Sequence, residues 1–202
     1  MKVKMYKFDD LSEAAKKEAY EQAYSAAMQD LDVVFPEYCD YVIDYIKETG
    51  AILGITIDKV YFSGFGSRVD GSCFEGRYEF AKGCQQNIRK RRPADETLHK
   101  IADDLVALQR KWFYGLTAVV RQSGRYYHKY CTDIRIDWIR PDGVSGWIPE
   151  NEEEPLSEVL RDFMDWSYRT LEKEYEYLSS EESIMDVIRE NGYEFTENGE
   201  LF

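Results

Sequence analysis

The sequence predicts an α+β fold: about four antiparallel strands covered by helices, with an acidic helical C-terminal section. Three observations predict it. Two strand pairs, within residues 55–81 and 114–139, are each joined by a glycine-containing connection. Helical patterns lie between and around the pairs rather than after every strand, so a parallel βαβ sheet is not indicated. The chain of 202 residues is 44% hydrophobic, which supports one domain with a sizeable core and an appended section.

Lys4–Phe8 has the composition of a short strand. Ser12 is an N-cap for a helix to about Met28, with Ala14, Ala15, Ala19, Ala23, Ala26 and Ala27 raising its propensity. Pro36 suits the first turn of a second helix through about Thr49, with Gly50 as its stop. ITIDKVYFSG (55–64) reads as a strand, and SCFEGRYEFA (72–81) as its antiparallel partner, with Phe74, Gly76, Tyr78 and Phe80 on one face. Helices follow over Ala81–Arg92 and Asp95–Trp112, the second with Leu98, Ile101, Leu105 and Leu108 on one side. Residues 114–139 read as a hairpin turning around Gln122–Arg125. PDGVSGWIPENEEEP (141–155) is the boundary signal and divides a 1–149 core from a 150–202 acidic section. A long helix is expected over Leu156–Leu178, a short one from a Ser180 cap to Asn191, and a turn at Asn198-Gly199.

Charge is the most informative global feature. Residues 150–202 hold 17 acidic and 4 basic side chains, while residues 1–149 are balanced, so the net −13 comes from the last quarter. An acidic face repels nucleic acid and membrane surfaces and attracts basic clefts, including those that hold DNA or RNA. Direct nucleic-acid binding is therefore not expected. No run of about 18 apolar residues suggests a transmembrane helix, and the N-terminus lacks an apolar leader core. Cys39, Cys73, Cys84 and Cys131 form no C-x-x-C pair, and His99 and His128 are the only histidines. Zinc and other cofactors are accordingly not expected, and free thiols in a bacterial cytoplasm are.

The chemistry-bearing stretches are few. YFSGFGSRVDGSCFEGRY (61–78) lacks the Gly-Lys-Ser/Thr of a phosphate loop, and no helix follows its glycines. Asp70 and Glu75 do not supply the oxygen shell of a calcium site. A hairpin connection and a recognition loop displaying Phe65, Arg68, Asp70 and Glu75 remain. RYYHKYC (125–131) presents Tyr126, Tyr127 and His128. On an extended strand His128 and Cys131 would face opposite ways, which argues against a nucleophile pair. The run Arg89-Lys90-Arg91-Arg92 suits a helix C-terminus, a nucleic-acid patch, or contact with the acidic section or with a second copy as a homodimer. Glu172, Glu174 and Glu176 are either a solvated helix face or carboxylates that stand in for phosphates in a basic groove.

MYKFDDLSEAAKKEAYEQA, IDKVYFSGFGSRVDGSCFEGRYEFAKG, Tyr126-Tyr127-His128 and MDVIRENGYEFTENGELF together resemble small acidic proteins of tailed phages and prophages. Those proteins carry antitoxin-like, toxin–antitoxin stability-system labels. Arg68-Val69 stands where the resemblance leads one to expect Gln-Gly. The resemblance implies a phage-borne, non-enzymatic accessory protein that binds and inhibits a host or defence protein of the restriction or CRISPR kind, itself able to hold nucleic acid. The alternatives are an antitoxin for a cognate toxin, and a small-ligand binder or enzyme using the 63–75 loop with His128.

Overall fold

A computed structural model describes residues 4–67 and 70–202, apart from the side chains of Asp32 and Glu37. The elements are α1 (Glu13–Tyr38), α2 (Asp40–Leu53), β1 (Ile55–Ser63), β2 (Gly71–Tyr78), α3 (Cys84–Arg91), α4 (Glu96–Lys111), β3 (Leu116–Gln122), β4 (Thr132–Ile139), β5 (Ser145–Gly146), α5 (Glu150–Leu178) and α6 (Glu181–Glu190). The strands form one antiparallel sheet in the order β1-β2-β3-β4-β5, one strand more than expected, so the α+β class holds. Neighbours in sequence are neighbours in the sheet, with α3 and α4 inserted between β2 and β3.

The chain forms two compact units, one of residues 41–172 and one joining residues 1–40 to 173–202. The divisions fall at 40/41 and 172/173 rather than at 149/150. The larger unit holds the sheet. Phe74 of β2 meets Phe163 of α5 edge-on, with centroids 6.0 Å apart, and the Ser72 hydroxyl donates to the Met164 carbonyl at 2.9 Å. Leu98, Ile101 and Leu105 of α4 and Leu156, Leu160 and Leu171 of α5 are buried. At ~25 cal/mol per Å² such aliphatic faces supply most of the driving force for the layer.

In the smaller unit, Ala15, Ala19 and Ala23 of α1 lie in one cluster with Ile184 and Ile188 of α6 and Phe195. Small side chains on α1 let the C-terminal turn approach closely. A Cβ on Gly199 (φ +89°) would stand 2.1 Å from the Ala15 carbonyl. The Asn198-Gly199 turn forms as expected, with Thr196 N–H donating to Glu200 O at 2.9 Å. Lys4–Phe8 is not a strand: Tyr6 makes one antiparallel bridge to Phe195, and a 3₁₀ turn covers Phe8–Asp10. This 70-residue unit carries 18 acidic and 7 basic residues, a net −11, whereas the sheet unit carries −2. The charge asymmetry of the sequence thus becomes an asymmetry between units, because α1 adds its own carboxylates to those of the C-terminal segment.

Three boundaries differ from expectation. α1 runs to Tyr38 and carries Pro36 in its last turn, so the proline does not open α2. Gly50 lies buried inside α2, where a Cβ would sit 2.9 Å from Ile55 O and 3.4 Å from the Phe163 ring; it is a packing glycine, and Gly54 (φ +87°) ends the helix instead. α5 begins at Glu150, six residues ahead of the expected start, and takes Pro155 into its second turn.

Candidate partner-binding surface

The two stretches singled out in the sequence come together at one end of the sheet. The β1–β2 hairpin brings up residues 64–67 and Asp70, and the β3–β4 connection brings up residues 123–131. The second connection is longer than the expected turn at Gln122–Arg125. Its nine residues place Tyr126, Tyr127 and His128 on a loop, not on a strand. The loop is closed by Ser123 N–H donating to Cys131 O at 2.8 Å and Cys131 N–H to His128 O at 2.7 Å. The local reason is composition: Ser123-Gly124 (φ +83°) breaks the apolar alternation, and the aromatic run that follows has no buried face to occupy.

The contacts between the β1–β2 pair and the 123–131 loop are specific. A Cβ on Gly71 would lie 3.1 Å from His128 Cδ2 and 3.2 Å from Tyr127 O, so glycine allows the two backbones to close. The rings of Tyr61 and Tyr127 are 5.2 Å apart. The Tyr61 hydroxyl donates to Glu75 Oε2 at 2.9 Å, while Glu75 Oε1 accepts from Gln122 N–H at 3.3 Å. Glu75 therefore ties β1, β2 and β3 together. Its hydrogen bond, with burial and its charge adding, pushes the Tyr61 phenol above its usual value.

Asp70 faces inward. Its carboxylate accepts the Ser67 amide at 2.6 Å and lies 2.8 Å from where a Cβ on Gly64 would stand, so glycine leaves room for it. Asp70 is a loop brace rather than a displayed carboxylate. Phe65 stacks between Phe62 (6.0 Å) and Tyr168 (5.6 Å), and the Tyr168 hydroxyl donates to Gly64 O at 3.2 Å. Burial, with Glu172 and Asp70 nearby, pushes the Tyr168 phenol up to about 12. Arg68 lies outside the described residues.

What the surface offers is aromatic. Tyr126 is 56% exposed, Tyr127 39% and Tyr130 60%, around a half-buried His128 whose Nδ1 accepts from Tyr130 N–H at 3.3 Å. Lys129 anchors the loop through Asp165 of α5 at 2.5 Å, and the Arg161 guanidinium lies 5.2 Å from the Tyr130 ring centre. Sequence reasoning missed Tyr130, Lys129 and Tyr168. The repeated Tyr spacing in RYYHKYC was the signal for Tyr130; the two contacts to α5 had none. Successive members of Glu172, Glu174 and Glu176 lie about 200° apart around the helix, so they do not form one ladder. Among the described residues no group of three or more His, Cys, Asp or Glu side chains could hold a metal ion.

Nucleophilic chemistry gains little from the arrangement. Cys73 of β2 is buried, and burial foremost, then Cys131 and Glu75, pushes its thiol up to about 12. Cys39, buried in the other unit, is pushed up to about 11, chiefly by burial. An unfolded thiol titrates near 8.5. Below that pH both states hold the proton; above it the unfolded chain loses protons that the folded chain keeps, and stability falls as pH rises toward 12. The urea midpoint is expected to drop between pH 8.5 and 10.5, and Cys73→Ala to make that drop shallower. Equal slopes would show that Cys73 titrates alike in both states.

Fold and surface define a class: a small α+β protein whose antiparallel meander supports an aromatic loop platform. Residues 38–181 match the family described as Domain of unknown function (DUF8835), and the chain belongs to that family. The match contains the whole sheet unit and leaves most of the acidic helical unit outside. No curated protein and no solved structure matches the chain. No helix among the described residues is long and apolar enough to cross a membrane.

Proposed function

We propose that the protein is a non-enzymatic, phage-type accessory protein that binds and inhibits a host or defence protein, with the 123–131 loop as its contact surface. One observation carries this reading: Tyr126, Tyr127 and Tyr130 stand exposed on a loop fastened at both ends. Tyrosines with two side-chain torsions give large contact area at low ordering cost, and loops that bind proteins use them for that reason. The inward turn of Asp70 and the protonated state of Cys73 favour binding over catalysis. The resemblance to phage and prophage proteins supplies the class of target.

Charge has a different part in this reading. The net −11 of the helical unit steers the protein toward a basic partner, such as a nucleic-acid-binding defence protein. Without a single-faced ladder at Glu172, Glu174 and Glu176, phosphate-by-phosphate mimicry is not needed; long-range attraction suffices.

The test is plating efficiency of a susceptible phage on cells carrying restriction or RNA-guided defence, with and without the protein. Expression is expected to restore plating on at least one such host. Tyr126→Ala and Tyr127→Ala should each weaken the purified complex by about 2 kcal/mol, roughly 30-fold. Reversing Glu172, Glu174 and Glu176 to lysine should mainly slow association and flatten its salt dependence. Failure against every defence system would sink the inhibitor reading. Rescue of growth from a toxin encoded alongside would replace it with the antitoxin reading.

A further inference from the structure

The basic run Arg89–Arg92 has a place of its own in the sheet unit, apart from the tyrosine loop. A cleft of about 540 Å³ is lined by Glu48, Ala51, Ile52, Asn87, Lys90, Arg91 and Arg92. Its two walls are helix faces. Residues 48, 51 and 52 of α2 and residues 87, 90 and 91 of α3 each follow the i, i+3, i+4 spacing that puts side chains on one side of a helix.

Arg92 joins them for a separate reason. Three consecutive helical residues would fan over about 200° and could not share a cleft. α3 ends at Arg91, and Arg92 takes φ −133°, ψ 64°, which redirects the chain. Arg92 is then braced: its guanidinium lies 4.1 Å from the centre of the Tyr45 ring, Tyr45 stacks on Trp166 at 5.9 Å, and His99 Nε2–H donates to the Arg92 carbonyl at 2.8 Å. Its buried Nε–H meets no acceptor among the described residues.

The four cations have different tasks. Arg89 is committed to Asp103, whose carboxylate also accepts from Gln85. Lys90, Arg91 and Arg92 make no ion pair among the described residues, although the protein as a whole has an excess of carboxylates. Three adjacent unpaired cations repel one another, and a multivalent anion between them removes that cost. The dipole of an eight-residue helix accounts for a cation at its C-terminus but not for three converging on a cleft.

We propose that this α2–α3 cleft binds a phosphorylated nucleotide group. Lys90, Arg91 and Arg92 would take the phosphates, Ala51 and Ile52 the apolar part, and the Glu48 carboxylate a hydroxyl or amino donor of the sugar or base. The size falls within the range of small-ligand sites, and converging Arg and Lys side chains are a recurrent way of holding phosphate oxygens. The same chemistry is presented by a free nucleotide and by the 5′-phosphate end of a nucleic acid.

The experiment is calorimetric titration of the full chain at about 150 mM salt with ADP, with pyrophosphate, and with a short oligonucleotide bearing or lacking a 5′-phosphate. Saturable binding is expected, weakened about 10-fold or more by Lys90→Ala and by Arg91→Ala, both exposed positions that the fold does not need. Arg89→Ala should leave it within about 2-fold, because Arg89 is held by Asp103. ADP binding tighter than pyrophosphate and weakened by Glu48→Gln identifies a free nucleotide as the source. Preference for the 5′-phosphorylated oligonucleotide identifies a nucleic-acid end. The proposal is overturned if none of the probes binds saturably, or if Arg89→Ala weakens binding as much as Lys90→Ala, which would mark a diffuse basic patch.

Discussion

Replacing Gln109 with leucine is expected to cost about 3–5 kcal/mol of stability, although the two side chains have similar volume. Gln109 is fully buried near the end of α4. Its Oε1 accepts from Leu116 N–H at 3.1 Å, and its Nε2 donates to Leu116 O at 2.7 Å and to the Tyr78 hydroxyl at 3.1 Å. One side chain thus satisfies both backbone groups at the start of β3 and a buried phenol on β2. Leucine would leave all three without partners, at about 1–3 kcal/mol for each buried group. The expected drop in melting temperature is on the order of 10 °C for a chain of this size. Tyr78→Phe removes the hydroxyl that Gln109→Leu strands, so the double variant should be more stable than the sum of the single effects predicts. Strict additivity, or a loss under about 1 kcal/mol in urea titrations of Gln109→Leu, would show that water or rearrangement serves these groups.

Gln109 also illustrates what the sequence conceals. A glutamine in the amphipathic segment 96–111 has no local feature that separates it from a solvated one; its three partners are 7 and 31 residues away. Local rules performed well where the physics is local. Ser12, Asp95 and Ser180 each cap a helix through the side-chain oxygen, at 3.3, 3.0 and 3.3 Å from the amide three residues on. Asn198-Gly199 makes its turn for the same reason. Local rules failed where a distant group decides. Gly50 looks like a helix stop and is buried instead, because Phe163 and Ile55 need the space. RYYHKYC has strand composition, yet Lys129 and Tyr130 are held by Asp165 and Arg161 of α5, and the segment becomes a loop. The sequence-derived boundary at residue 150 marks a real change in composition. The compact units divide elsewhere because α1 and the C-terminal segment pack together, a pairing across some 170 residues. The binding-surface candidates were legible as residue types. That Asp70 and Glu75 are braces, while Tyr126 and Tyr127 are displayed, was not.

Gly76→Ala is expected to disrupt the sheet at a cost of about 3 kcal/mol or more. Alternation in 72–81 places Gly76 on the buried face with Phe74 and Tyr78, a position where the pattern calls for a large apolar residue. The register shows why none fits. Ile57 pairs with Gly76 and Lys59 with Glu75, so β1 carries one extra residue, a bulge, between those pairs. At the bulge a Cβ on Gly76 would stand 2.1 Å from the Thr56 carbonyl oxygen and 3.1 Å from Ile57 Cα. Those are backbone atoms, so relief requires moving the strand rather than turning a side chain. Gly124→Ala provides the comparison: φ is +83° there, but nothing lies within 4 Å of the added methyl, and the cost should stay near 1 kcal/mol. Thermal melts of the two variants separate the causes. A large loss at Gly76 and a small one at Gly124 mean that close approach at the bulge governs the hairpin; equal small losses mean that β1 can slide away freely. The first result carries a functional consequence. β1 and β2 carry Tyr61 and Gly71, which pack against Tyr127 and His128, so a variant that loosens the bulge should lose partner binding at temperatures where the chain as a whole is still folded.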